Sequence, residues 1–177
     1  KPPEELFDLE TDPDEVNNLV GSKKHQKVLD QMRTAHRDHV TKIRDVGFLP
    51  EGEIHSRSKG STPYEMGHDD KKYPFKKIHA AADMASSMRS NDLHAIIELL
   101  DDDDSAVRYW GALGLLMQEK PGVRKGHAKL LEALNDKSPY VRVVAAEALG
   151  KYVSKGDVAK AIATLGETAD PIKNGCF

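Results

Sequence analysis

The feature that most constrains the fold of this 177-residue chain is a sequence pattern that recurs after 34 residues. Segments 99–108 and 133–142 each carry an apolar pair, then an aspartate, then a Val-Arg dipeptide. A further aspartate, Asp170, lies 34 residues after Asp136. A period of this length is typical of helical hairpins, which bury their apolar faces by stacking on one another. We therefore expect stacked hairpins in the C-terminal half of the chain.

Each repeat is predicted to contain two helices, A and B, joined by a short turn. Three small residues of the first helix B, Gly111, Ala112 and Gly114, are expected to let neighbouring helices approach closely. The predicted apolar residues are Leu93, Ile96, Ile97 and Leu100 in the first helix A; Leu130, Leu131 and Leu134 in the second; Val107, Trp110, Leu115 and Leu116 in the first helix B; and Val141, Val144, Ala145 and Leu149 in the second.

Four polar residues are predicted to form a structural ladder along the repeats. Asp102 and Asp136 fall in the A–B turns, six residues before Arg108 and Arg142. We expect each carboxylate to accept hydrogen bonds at its turn and from an arginine of the same or the adjacent unit, because charge-assisted hydrogen bonds of this kind are strong. The ladder is structural, and the sequence offers no catalytic, cofactor-binding or metal-binding residue.

These units resemble HEAT repeats, whose A–B turn carries aspartate and whose helix B opens with Val-Arg. The resemblance covers residues 90–177, and it predicts a HEAT-like α-α superhelix, or solenoid, over residues 76–177. The third unit departs from the pattern, since Gly175-Cys176 stands in the place of Val-Arg. The last repeat is therefore expected to be truncated, with an uncovered apolar face that favours self-association.

The N-terminal part of the chain is predicted to contain one strand and one long helix. Residues 4–9 read as a strand that stops at the Asp12-Pro13 turn, and a lone strand needs a sheet from elsewhere. The helix is predicted from the N-cap Ser22 to Val46, with Gly47 as its stop. Its length suggests that it docks across a larger body. The face expected to do so comprises Leu29, Met32, His36, His39, Ile43 and Val46.

Between these parts, residues 47–75 show no helical or strand period and are rich in Gly and Pro. They are predicted to form a long irregular linker that wraps over a surface. The predicted fold class is therefore mainly α: a short strand, a long helix and a long irregular linker, followed by the helical repeats.

Residues 5–19, with the sequence ELFDLETDPDEVNNL, resemble the segment that closes the C-terminal subdomain of sulfatases. Residues 44–51, RDVGFLPE, are similar to sulfatase-like proteins with a helical-repeat extension. The resemblance implies that residues 1–46 are the tail of a sulfatase catalytic domain whose remainder lies in a longer protein. It also implies a periplasmic or secreted location.

Sulfatases hydrolyse sulfate esters with a formylglycine, made in a Cys/Ser-x-Pro-x-Arg motif, and with a bound calcium ion. Cys176 lies in Asn-Gly-Cys-Phe and lacks that motif, so no catalytic residue of the family can be placed in this chain. The resemblance therefore implies a sulfatase C-terminal region that is non-catalytic on its own. Its repeats would bind a partner or substrate, or brace the missing catalytic domain. The alternative is a non-enzymatic HEAT-repeat scaffold for protein–protein interaction.

Four other patterns are interpreted as structural. His36 and His39 have a spacing that can share a metal, but they lie beside the apolar stripe of the long helix. His68-Asp69-Asp70 is favoured as a solvated loop tip, and the run 101–104 as a capped turn rather than a calcium loop. Trp110 is interpreted as a repeat-core residue rather than a stacking platform.

Charge and hydropathy exclude two classes of partner. The net charge is −3, and no cluster of Lys and Arg provides the basic face that nucleic acid requires. No apolar run approaches the ~20 residues that span a bilayer. We therefore expect no nucleic-acid partner and no membrane partner.

Overall fold

The computed structural model describes residues 2–153 and 155–169, and these residues are mainly α-helical. The predicted mainly-α class is therefore confirmed, whereas the described residues contain no strand. The chain divides into two compact units, Lys1–Asp45 and Val46–Phe177. Within the described part, no helix is both long enough and apolar enough to cross a bilayer.

The predicted strand at residues 4–9 is wrong, because its backbone pairs with a loop and not with another strand. The Leu6 N–H donates to Asn18 Oδ1 at 3.1 Å, and the Asn18 side-chain amide donates to the Glu4 carbonyl at 3.0 Å. The Leu19 N–H donates to the Leu6 carbonyl at 2.7 Å. One asparagine side chain thus takes the place of a neighbouring strand.

The predicted Asp-Pro turn is present and is closed by the Asp12 side chain. Its carboxylate accepts from the N–H groups of Val16 at 3.1 Å and Asn17 at 2.7 Å. Between them Glu15 adopts a left-handed backbone conformation, with φ of 55°. These contacts explain the polar residues of segment 5–19 by local structure alone.

The long helix of the first unit, α1, spans Gln26–Ile43 and follows a 3-10 turn at Lys23–His25 whose N-cap is Ser22. It ends earlier than predicted. Arg44 adopts a left-handed conformation with φ of 51°, and its N–H bonds back to the Thr41 and Val40 carbonyls. Gly47 is therefore not its stop.

The predicted docking face of α1 is wrong for most of its members. Leu29 and Val40 are the buried residues of the helix. By contrast, the helix leaves exposed Met32, His36, His39 and Ile43. The buried stripe is rotated away from the apolar residues on which the prediction was based.

The second unit contains nine α-helices within the described residues, with 3-10 turns at Val46–Phe48, Ser90–Asp92 and Leu99–Asp101. The predicted irregular linker at 47–75 is wrong, since α2 and α3 lie inside it. Helix α3 forms because Thr62 and Glu65 make a reciprocal capping box and Pro63 occupies the first helical position. The helices are α2 Glu51–Arg57, α3 Pro63–Gly67, α4 Phe75–Ser86, α5 Leu93–Glu98, α6 Ser105–Met117, α7 Glu119–Lys125, α8 His127–Ala133, α9 Pro139–Tyr152 and α10 Lys155–Thr168.

Helices α5 and α6 form the first predicted hairpin, and α8 and α9 form the second. Their shared core contains Ile96, Leu115, Leu130 and Leu149, each 0% exposed. Helix α6 packs against α4 on one side and α9 on the other. A buried row of B helices thus runs through the unit.

The close approach expected at two glycines of α6 is confirmed. A Cβ added at Gly114 would lie 3.0 Å from the Ala85 Cβ of α4. A Cβ added at Gly111 would lie 3.0 Å from the Leu99 Cβ. Larger side chains at either position would push neighbouring helices away from α6.

Candidate interaction surface on the repeat turns and B helices

The A–B turns of the two repeat units are joined by Arg108. Its Nε and Nη2 donate to the two carboxylate oxygens of Asp136 at 2.7 and 2.8 Å. Its Nη1 donates to the carbonyls of Asp102 and Asp103 at 2.8 and 2.9 Å. One guanidinium therefore ties its own turn to the turn of the following unit, and Asp136 raises the pKa of Arg108 by its hydrogen bonds and charge.

The same arrangement continues on both sides. Lys77 Nζ lies 2.8 Å from Asp102 Oδ1, so α4 supplies a cation to the first turn. Arg142 Nη1 donates to the Asp136 carbonyl at 2.9 Å, and its Nε donates to Thr168 Oγ1 at 3.3 Å. The structure thus brings the predicted ladder residues together, while Asp170, Gly175 and Cys176 lie outside the described residues.

A second set of charges, which the sequence interpretation missed, joins α2 to these turns. Arg57 Nη1 and Nη2 donate to the Asp104 carboxylate at 2.9 and 2.8 Å. Its Nε and Nη2 donate to Glu53 Oε2 at 3.0 and 2.8 Å. The Ser138 hydroxyl donates to Glu53 Oε1 at 3.2 Å, and Glu53 is only 5% exposed. The available signal was the Glu53/Arg57 pair at helical spacing.

Burial alone would raise the pKa of the Asp104 carboxyl, but the Arg57 guanidinium outweighs it and holds that pKa below its ordinary value. Conversely, burial opposes the charge of Arg57, and Asp104 and Glu53 raise the pKa of that guanidinium in spite of it. Both partners are therefore charged at neutral pH. The Asp104 carboxylate also accepts from the Ala106 N–H at 2.8 Å and so caps α6.

The depressed pKa of Asp104 predicts a loss of stability in acid. A carboxyl group with a lowered folded-state pKa stabilises the fold above its unfolded pKa, and this stability is lost as the pH falls through the folded-state value. We expect the free energy of unfolding to decline below about pH 4, as measured by urea unfolding at a series of pH values. Asp104→Asn should weaken the protein at pH 7 and flatten the decline. Asp103→Asn, at an exposed neighbour, should leave the decline unchanged, and a decline identical in Asp104→Asn would contradict the assignment.

Helix α2 and the two turns enclose a groove of about 730 Å³. On one wall, a Cβ added at Gly52 would lie 1.5 Å from the Tyr140 hydroxyl oxygen, so only glycine allows α2 to approach α9 there. The charged groups at its floor, Arg57 and Arg108, are already held by carboxylates. The groove is consequently lined by satisfied polar groups and offers no reactive side chain.

The segment before α2 lies on the B helices. The Trp110 indole N–H donates to the Phe48 carbonyl at 2.8 Å. The Phe48 ring packs edge-on against Phe75 and His79, with centroid distances of 6.1 and 5.0 Å. Trp110 is thus half-buried beneath this segment, and its indole binds a neighbouring backbone instead of serving only as repeat core. The wrapping course predicted for this segment is confirmed at these contacts.

The other patterns singled out in the sequence have local partners. His36 and His39 are exposed on α1. His68 Nδ1 lies 2.8 Å from the Tyr64 carbonyl, and its ring packs on Tyr64 at 4.3 Å. Asp101 pairs with Lys129 at 2.6 Å. In the part of the chain that the structure describes, no cluster of three or more His, Cys, Asp or Glu could hold a metal ion.

The 34-residue register of buried residues extends upstream of the two repeats identified from the sequence. Four sets of residues, each spaced by 34, are at most 8% exposed in all three copies. The sequence signal was weak there because Pro74 takes the place of the arginine, while the cation, Lys77, comes three residues later. The four sets are Met66, Leu100 and Leu134; Tyr73, Val107 and Val141; Ile78, Ala112 and Ala146; and Ala81, Leu115 and Leu149.

These hairpins and their ladder define a helical-repeat protein. Residues 93–172 match the family model of HEAT repeats, which confirms the predicted resemblance for that part of the chain. HEAT repeats commonly mediate protein–protein interaction. Comparison with curated proteins and with solved structures gave no match. None of the comparisons supports the resemblance of residues 5–19 and 44–51 to sulfatases.

Proposed function

We propose that residues 59–169 form a HEAT-repeat solenoid that binds another protein. The observation that carries the proposal is the ladder, in which Lys77, Arg108 and Arg142 each bond to a residue of the next unit. Such a joint fixes each hairpin relative to its neighbour, and a stack of this kind presents a long surface suited to a protein partner.

The module as proposed contains one more unit than the family match covers. Helices α3 and α4 supply its A and B helices, because Met66 occupies the register of Leu100, and Ile78 the register of Ala112. The unit is divergent, since its helix B begins only at Phe75 and its turn is longer. Hairpins of this type are stable only in arrays, and three or more units are the usual minimum.

The binding surface as proposed is the outer side of the B helices. Val143 of α9 is 38% exposed there, and Tyr109 and Leu113 of α6 are half-buried. Exposed apolar side chains beside polar ones are typical of protein interfaces.

A photo-crosslinking amino acid at Val143 tests this proposal in extract from cells that make the protein. We expect an adduct of discrete mass, identified by mass spectrometry, because Val143 faces the proposed partner. The matched control places the same amino acid at Tyr64, which is 74% exposed on α3. Adducts of the same identity and yield from both positions, or none from Val143, would refute the B-helix surface.

A second candidate is an accessory region of a sulfatase, with the repeats bracing the catalytic domain or binding its substrate. Its support is the pattern at residues 5–19, where Asp12 and Asn18 organise an ordered loop. The formylglycine, the calcium ion and an exported location would then be properties of the parent protein. Sequencing the gene upstream of Lys1 tests it: a Cys/Ser-x-Pro-x-Arg motif supports the candidate, and a complete reading frame without that motif rejects it.

Under this second candidate, the purified chain is expected to release no sulfate from an aryl sulfate ester. The physical reason is that no residue of the chain corresponds to the family's nucleophile or calcium ligands. Ion chromatography of sulfate with and without added calcium provides the measurement. Calcium-dependent turnover would show that the chain carries its own catalytic machinery.

Self-association is expected through α10. Its surface exposes Ile162 (64%) and Leu165 (38%), and burying such side chains against a second copy is favourable. Sedimentation velocity should show a concentration-dependent dimer that Ile162→Lys abolishes. The exposed Val143→Lys is the control and should leave the dimer intact. A protein that stays monomeric at high concentration would contradict this expectation.

A further inference from the structure

We propose that the groove between α6 and α9 binds an aromatic side chain of the partner, carried on an extended segment with a nearby Lys or Arg. The groove is formed by Tyr109, Leu113, Val143 and Glu147, and we call it the α6/α9 groove. This inference rests on the proposed function and adds the chemistry of the partner to it.

The chain itself shows how such a groove is filled one repeat earlier. Phe48 lies between α4 and α6, with its ring against Phe75 and His79 of α4. Its carbonyl accepts the indole N–H of Trp110 on α6. The ring is bound by its edge and the backbone by one hydrogen bond, which is a peptide-binding arrangement made within one chain.

The repeat register transfers this arrangement to the next pair of B helices. Thirty-four residues after Phe75, His79 and Trp110 lie Tyr109, Leu113 and Val144. The transfer is justified because the buried residues around them, such as Ile78 and Ala112, keep the same spacing. The α6/α9 groove is therefore the structural equivalent of the Phe48 site.

The side chains of the α6/α9 groove fit an aromatic ligand. Tyr109 and Leu113 are half-buried and pack against the core from the outside, so they offer a firm apolar floor. Val143, 38% exposed, forms its rim. An aromatic ring docked on Tyr109 would gain from ring–ring contact beyond the area that it buries.

The equivalent sites differ at one position, and the difference gives the charge preference. His79 and Leu113 are succeeded in the register by Glu147, whose side chain is 44% exposed and pairs with Lys151. After burial, the charge of Glu147 is the second cause that raises the pKa of Tyr109, which places this carboxylate near the floor of the groove. A cation on the ligand would compete with Lys151 for it.

Titration of the full chain with short blocked peptides tests the inference. The probe is the sequence of residues 46–50, Val-Gly-Phe-Leu-Pro, with Lys in place of its first Val, and binding is followed by ¹H–¹⁵N NMR shifts. We expect saturable shifts centred on Tyr109, Leu113 and Val143. Replacing Phe by Ala in the peptide should weaken binding about tenfold, as expected for an aromatic anchor. Placing Glu in the first position should also weaken it.

Variants of the protein separate the groove from other surfaces. Val143→Lys should weaken binding of the peptide about tenfold, because it places a charge on the rim of an apolar site. Ile162→Lys, at the exposed surface of α10, should leave binding unchanged. Shifts centred on Phe75 and His79 would mean that the peptide only displaces Phe48 and would overturn the inference, as would an absence of saturable shifts. A Val143 crosslink to a partner, obtained without peptide binding, would retain the interaction module while rejecting the aromatic ligand.

Discussion

Replacement of Arg57 by alanine is expected to lower the free energy of unfolding of the second unit by about 3 kcal/mol. The guanidinium is the common partner of Glu53 and Asp104, whose side chains are 6% and 15% exposed. Without it, two carboxylates remain in a poorly solvated site with no cation, and the remaining charge costs more than the lost pair contributed. Urea unfolding followed by the fluorescence of Trp110, the single tryptophan, measures the effect next to the affected segment.

The first unit supplies a matched control for Arg57→Ala. Arg33 makes the same two-pronged pair with Glu4, but its side chain is 38% exposed, and that of Glu4 is 43% exposed. Arg33→Ala should therefore cost less than about 1 kcal/mol, as solvent-exposed pairs do. Glu53→Gln combined with Arg57→Ala should recover part of the loss, since it removes one of the stranded charges. Equal effects of Arg57→Ala and Arg33→Ala would show that α2 is not held by buried ion pairs.

Met66→Ala is expected to destabilise the second unit by about 3 kcal/mol, although Met66 lies outside the segment that matches HEAT repeats. Its side chain is 0% exposed, so truncation leaves a cavity that the surrounding helices can fill only in part. If α3 and α4 are a stacked repeat unit, the damage should spread to their neighbour, because repeat arrays are stabilised by the interfaces between units.

Hydrogen exchange by mass spectrometry distinguishes this from a local effect. Faster exchange in α6 as well as in α3 and α4 is expected in Met66→Ala. Met32→Ala, which truncates the same residue type at a position on α1 that is 57% exposed, should change the free energy of unfolding by less than about 0.5 kcal/mol. A loss of protection confined to α3 would show that residues 59–86 are an appendage and not a repeat.

The repeats could be predicted from sequence because their signal is periodic and redundant. Spacing in the chain placed Asp102, Asp136 and their arginines on equivalent turns, and the register of Leu115 and Leu149 fixed which face of helix B is buried. The upstream unit escaped prediction because Met66 and Tyr73 are chemically unlike Leu100 and Val107, even though all four are buried.

Other errors came from tertiary or side-chain partners that a local pattern does not reveal. The segment at residues 4–9 has the composition of a strand, but Asn18 supplies its hydrogen bonds. Helix α2 carries two glutamates and an arginine, which made it look like solvated loop, whereas Asp104 and Ser138 bury them. The α6/α9 groove likewise depends on Phe48, 61 residues before Tyr109 in the sequence.

The ladder has an evolutionary consequence. Arg108 bonds forward to Asp136, while the aspartate of its own unit, Asp102, receives the cation of the helix before it. Each hairpin thus carries both halves of the joint, a donor for its successor and an acceptor for its predecessor. A tandem duplication of the coding DNA would create a new joint that already matches at both ends, so an array of this type can grow by copying without any compensating mutation.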